Sequence, residues 1–439
     1  MKRLILATLG ALLLALAGSA TASAAWSSPT FLSAAATPVE EPPSVAVDDQ
    51  GDATFAWVSA DGRVQTRTRS ATGSLTGVQT LSATGQVVPE ASLVDVDVDA
   101  DGDAVFTWVT LNTADVPTIV TRARSRTGSL SPRATVATVP DGPEPELWGD
   151  ELGSPDVAVD ADGDAVVVWV QPGVNNVIAK ARMRTRSGAL RPTQTISSGG
   201  EGTTAANAHV GIGATGNGVF VWEQTTPTVV SKISTRTRAA AGALGQVRVL
   251  SGPEATLPQL AVQDDGDAVF AWQRKGPAVT RIEARARSAA GAVSPVQALS
   301  SETQNAAEPQ VAVDATGDAI FAWQGHDAAG KLRIHGRPRS AAGALGAARV
   351  LSAAGTDAFD AQVGVAASGT AVFAWRRNPG TGDLVESRTL SPAGALGAVQ
   401  EVGTSPEPLS LRLAVGDSGK AVAAWQDHNL KRIATASGP

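Results

Sequence analysis

Leu260-Ala261-Val262-Gln263-Asp264-Asp265-Gly266-Asp267-Ala268-Val269-Phe270-Ala271-Trp272 decides the fold. It reads as a short apolar strand, an acidic turn with a glycine, and a second apolar strand ending in tryptophan. Glycine supplies the positive φ that tight turns need. The pattern returns at Val45–Trp57, Val96–Trp108, Val157–Trp169, Val210–Trp222, Val311–Trp323, Val363–Trp375 and Leu413–Trp425. Eight of the ten Trp hold this position, 50 to 61 residues apart. Self-similarity at such a period marks a repeat architecture.

Each unit extends to four expected strands. In the fifth unit they are Leu260–Val262, Ala268–Gln273, Arg281–Ser288 and Val296–Ser300. The third alternates small apolar with charged residues from Ile282 to Arg287, so the two sets point to opposite faces. Stretches such as Ala239-Ala240-Ala241-Gly242 are too short to nucleate a helix and read as turns. Eight four-stranded units of about 50 residues predict an all-β, eight-bladed β-propeller. The two ends favour a closed ring over an open stack. The last copy stops after its third strand, while Ser28–Ser33 matches the fourth-strand segment Ser294–Ser300. The eighth blade is therefore expected to join residues 408–439 to 25–37, inside one domain spanning 25–439. Such pairing removes the exposed edges of an open array.

The hairpin Pro309–Trp323, with the Arg281-Ile282 and Arg333-Ile334 pairs that open third strands, resembles NHL-type and related bacterial propeller repeats. That resemblance covers nearly the whole mature chain. It implies a fold and a habit of binding, without naming a substrate. These units are longer than NHL repeats, and the tryptophan position differs.

Met1-Lys2-Arg3 is basic, Leu4–Gly18 apolar, and Ser19–Ala25 small and polar. This is the order of a secretory signal, and Ala22-Ser23-Ala24 places the cut after Ala24. The expected signal peptide is 1–24, and the expected location is extracellular or in the cell envelope. The apolar run falls short of the roughly 20 residues that span a bilayer, so the mature chain is expected to lack a transmembrane span. A monomer is expected. With 42 acidic against 35 basic residues, the net charge of −7 argues against nucleic-acid binding. The absence of Cys and Tyr excludes disulfides, zinc–thiolate sites, and Cys or Tyr nucleophiles.

Four features invite a functional reading. The repeated Trp fits a filler between blades better than a ligand platform. The third strands repeat Arg-x-Arg (for example Arg285 and Arg287), read as packed on the neighbouring Trp or paired with a repeat Asp rather than as a basic ring. Copies seven and eight retain a single Arg each, taken as Arg388 and Arg432. Asp97, Asp99, Asp101 and Asp103 alternate as hard-cation ligands would, and calcium is the candidate cofactor there. Turn chemistry competes with that reading, because Asp and Gly are also good hairpin residues. Finally, the insertion Pro140–Glu151 carries Trp148 between Glu146 and Asp150, a candidate ligand-binding group. The four His, at 209, 326, 335 and 428, have no metal-ligand spacing. His326 and His335 flank one loop, where they could meet. The leading expectation is a secreted, non-enzymatic binding or scaffold propeller for a glycan or protein ligand. The alternatives are a hydrolase or lyase at the mouth of the central channel, and a purely structural envelope protein.

Overall fold

A computed structural model describes residues 25–39, 41–86, 88, 93–139, 155–228, 230–380, 382–405 and 408–438. The expected signal segment and the insertion with Glu146, Trp148 and Asp150 lie outside the described residues. The chain is all-β, with eight four-stranded antiparallel blades arranged as a propeller. Blade five runs Ala255–Val262, Ala268–Lys275, Thr280–Arg287 and Gln297–Ala298. Its first strand begins five residues earlier than expected, and its fourth is reduced to two residues. Ala239–Gly242 forms a turn, with Ala239 N–H donating to the Ala243 carbonyl.

The ring closes through its ends. In blade eight the strands are Pro408–Val415, Ala421–Asp427, Arg432–Gly438 and then Thr30–Phe31 from the opposite end of the sequence. Thr30 pairs with Thr435 and Phe31 with Ala434. Ser27 N–H donates to the Ser437 carbonyl, and Val39 N–H to the Lys431 carbonyl. Trp26 lies so close to Gly438 that a Cβ there would sit 2.5 Å from the indole. The Arg432 guanidinium covers the Phe31 ring at 3.8 Å.

The core is divided into eight clusters, one per seam between neighbouring blades. Trp57 shares its cluster with Val422 and Ile433 of blade eight, Trp272 with Val221 and Ile233 of blade four, and Trp425 with Val385 and Val402 of blade seven. All eight repeat Trp are at most 2 % exposed. Each blade is therefore covered on both faces. This accounts for a departure from the expected alternation: in blade five Glu283 and Arg287 are buried, as Ile282 and Ala284 are. Five of the eight repeat indoles donate their N–H to a side-chain oxygen, such as Trp57 to Gln65 and Trp375 to Glu386.

The first Arg of each Arg-x-Arg pair ties two blades together through backbone, not through Trp or Asp as the sequence suggested. Arg285 donates from Nε to the Ser294 carbonyl of its own turn and from Nη1 to the Leu250 carbonyl of blade four, 3.0 Å away. Arg122 and Arg337 repeat this on Leu81 and Leu299, and Arg388 on Leu351. A planar fork of fixed donors suits two carbonyls at once. Register corrects the assignment in blade eight: Phe373 faces Arg388, but the equivalent Ala423 faces Ala436, so Arg432 occupies a different position.

Trp272→Ala should cost about 3–5 kcal/mol, since large-to-small changes leave an unfilled cavity. The urea unfolding midpoint should fall accordingly, and an unchanged midpoint would contradict the seam assignment.

Candidate functional site at the channel mouth

The innermost strand of each blade touches that of the next around the whole ring, including blade eight against blade one. One position on these strands breaks the repeat. Immediately before the Val or Leu that opens the repeat stand Ser44, Asp95, Asp156, His209, Gln259, Gln310, Gln362 and Arg412. All eight are polar and half-buried. In blades four to eight the strand also bulges just upstream, and a non-glycine residue takes positive φ: Asn207 at 47°, Leu257 at 51°, Glu308 at 53°, Asp360 at 55° and Ser410 at 51°. Bulges re-aim side chains, and such strained backbone collects at functional sites.

Ser44, Asp95, Asp156, His209 and Arg412 converge on a cavity of about 220 Å³ at one mouth of the channel. Pro42, Pro43, Leu93 and Pro155 form its apolar rim. The Asp95 carboxylate accepts from the Ser44 hydroxyl at 2.9 Å and from Val157 N–H at 3.0 Å. Asp156 accepts from Val210 N–H at 2.8 Å and lies 3.4 Å from His209 Nδ1. Burial first, and then the charge of Asp156, push the Asp95 carboxyl well above the usual carboxylate range. Burial pushes the Arg412 guanidinium down, while the charges of Asp360 and Asp95 oppose this. Arg376 bridges to Asp360 at 2.9 Å and lies over the Phe359 ring, extending the polar cluster towards blade seven.

The mouth therefore offers a carboxylic acid beside a second carboxyl, an imidazole, a hydroxyl and a guanidinium. Recurring residues do not mark this set. Its signal in the sequence is a position that is polar in every blade yet filled by Ser, Asp, His, Gln or Arg.

Three of the four candidate calcium ligands have protein partners. Asp97 lies on the inner strand and accepts from Val159 N–H of the next blade at 2.8 Å. Asp99 caps its own turn, accepting from the backbone N–H of Asp101 and Asp103. Asp103 accepts from Arg126 N–H and pairs with Arg186 at 3.1 Å. Among the described residues, no group of three or more His, Asp or Glu is placed to hold a metal ion. His335 stacks on Trp323, with ring centroids 5.6 Å apart, and shares a cavity of about 100 Å³ with His326. No helix among the described residues is long and apolar enough to cross a membrane.

No family model matches the sequence, and no curated protein matches it. Solved structures do. A polysaccharide lyase, Uly1, aligns with a TM-score of 0.51 at 9% identity, covering 82% of this chain and 90% of its own. The lectin BP39L from Burkholderia pseudomallei scores 0.47 at 10% identity, covering 85% and 100%. The WD40 domain of SCAP from fission yeast scores 0.48 at 10% identity, covering 92% and 95%. At such identities the likeness concerns the fold.

Burial raises the Asp97 carboxyl to about 6, with amide donors from Val159 and Val98 opposing the shift. The folded state thus holds this proton more tightly than the unfolded chain does. The Asp97 contribution to stability should fall as pH rises from about 4 to 6, by roughly 1–3 kcal/mol, with the upward-shifted Asp95 adding its own loss as it ionises. Asp97→Asn keeps an acceptor for Val159 and should flatten that slope in urea melts run across this range.

Proposed function

We propose that this chain is an exported, non-enzymatic binding propeller that takes a hydroxyl-rich ligand, such as a glycan end, at the channel mouth. The observation that carries this reading is the polar, non-repeating position concentrated on one cavity by an otherwise regular scaffold. Insertions and departures on repeat scaffolds are where specificity resides. A cavity of about 220 Å³ fits one ring-sized group rather than a buried polymer segment. Asp156 offers an acceptor for hydroxyls, Arg412 and His209 offer donors, and the prolines offer apolar surface to C–H groups. A few placed polar groups on an apolar lining are the usual composition of such sites. Uly1 and BP39L are named for polysaccharide cleavage and lectin activity, so both binding and cleavage of glycans occur among propellers of related shape.

Export belongs to the same reading. Trp26, two residues beyond the expected cut, already donates to the Ser387 hydroxyl. Cleavage after Ala24 would leave the closing strand whole.

A hydrolytic reading draws on one observation: the Asp95 carboxyl, pushed up by burial and by the charge of Asp156, lies beside Asp156, the arrangement of an acid–base pair. A glycan array with the mature protein separates the two. Binding should fall at least tenfold in Asp156→Asn and Arg412→Gln, and ligand recovered after long incubation should be intact by mass spectrometry. Cleaved ligand that disappears with Asp95→Asn would favour the hydrolase. Binding lost in Trp148→Ala but kept in both channel variants would move the site to the insertion.

A further inference from the structure

The second Arg of each pair lies under the turn between the third and fourth strands, and its partners alternate around the ring. At three seams a Gln from the preceding blade seals it. Gln79 accepts from Arg124 Nε and donates to the Gly128 carbonyl. Gln194 does the same for Arg238 and Gly242, and Gln297 for Arg339 and Gly343. The seams between them lack this Gln. The equivalent fourth-strand residue is Ala134 before Arg184, and Arg248 before Arg287. Arg184 Nε is then buried without a hydrogen bond. Arg287 Nη1 is orphaned too, although on Arg238 and Arg339 that atom donates to the next residue's carbonyl rather than to Gln. Cavities lie at both of these unsealed seams, about 220 Å³ against Arg184 and about 310 Å³ against Arg287. Both open among the turns at the end of the blades opposite the channel-mouth cavity.

Charge distinguishes the two. In the blade two–three cavity, Asp103 is present and already pairs with Arg186. The cavity between blades four and five is lined by Arg238 and Arg287 and by no carboxylate, because Asn217 stands where blades two and three have Asp103 and Asp164. Arg287 is only 9% exposed, with the positive charge of Arg248 and the negative charge of Asp267 both acting on it. A buried guanidinium with an orphaned Nη1, in a cavity whose lining holds two arginines and no carboxylate, stands out in a chain of net charge −7. Guanidinium recognises planar and tetrahedral oxyanions through paired N–H donors.

We propose that the cavity between blades four and five binds an oxyanion, a carboxylate or sulfate group, with Arg287 as its principal donor and Arg248 as its outer charge. The three sealed seams define the geometry: the oxygen of the ligand takes the place that Gln194 Oε1 holds on Arg238. A neighbouring hydroxyl would serve the Gly291 carbonyl as the Gln amide serves Gly242.

The sealed seams also supply the test. Arg248→Gln installs the residue that closes the blade three–four seam, so it should fold and close this one. Calorimetric titration with sodium sulfate, and separately with a hydroxy-carboxylate such as glycolate, should show binding to the wild-type protein at constant ionic strength. In Arg248→Gln the affinity should drop at least tenfold with an unchanged or raised melting temperature. Arg287→Gln should lose the same binding, and Arg412→Gln at the channel mouth should keep it. A preference between sulfate and glycolate assigns the anion class. Binding that persists in Arg248→Gln with unchanged affinity and stoichiometry would identify an adventitious ion only and overturn the proposal, as would a wild type indifferent to both anions.

Discussion

Every blade depends on its neighbours to cover its faces. A four-stranded sheet of this size has two apolar surfaces and cannot hide either by itself. The repeat Trp solves this once per seam, by placing the largest side chain of one blade in a cluster with the second and third strands of the blade before it. The first Arg of each pair adds a polar tie at the same seam, spending its donors on two carbonyls that the short fourth strand leaves unpaired. Apolar filling and carbonyl bridging act together, so the ring behaves as eight interfaces rather than eight domains. This differs from a solenoid, in which terminal units need polar caps.

Most of the architecture was readable before any coordinates, because it is carried by what recurs. Trp spacing marks the blade, the Asp-Gly turn marks the hairpin, and the match of Ser28–Ser33 to Ser294–Ser300 marks the closure. The partners of the Arg-x-Arg pairs were not readable. The first Arg uses backbone carbonyls of its own turn and of the preceding blade, and a carbonyl has no signature in a sequence. The turn carboxylates were ambiguous for a related reason. Asp99 serves backbone amides two and four residues on, a task that Asp performs in any tight turn. Strand alternation misled slightly, since period two predicts opposite faces but says nothing about whether both are covered.

The repeat itself hides the channel mouth. Agreement between copies leaves out the position where Asp95, Asp156, His209 and Arg412 stand. Those residues come from four blades and meet because the innermost strands form a closed circle. The strained residues beside them, Asn207 and Asp360 among them, recur at one position in blades four to eight. A repeat scaffold thus separates two tasks: recurring residues hold the ring, and one freed position per blade composes the chemistry at its centre.

The clasp between Thr30–Phe31 and Arg432–Gly438 also orders events in time. The Thr30–Phe31 segment waits for a partner made some 400 residues later along the chain. Until that meeting the third strand of blade eight has a bare margin, and its apolar seam with blade one lacks Leu32. Completion of the circle is therefore a late, all-at-once step, and a chain cut short near residue 430 would forfeit more than one sector.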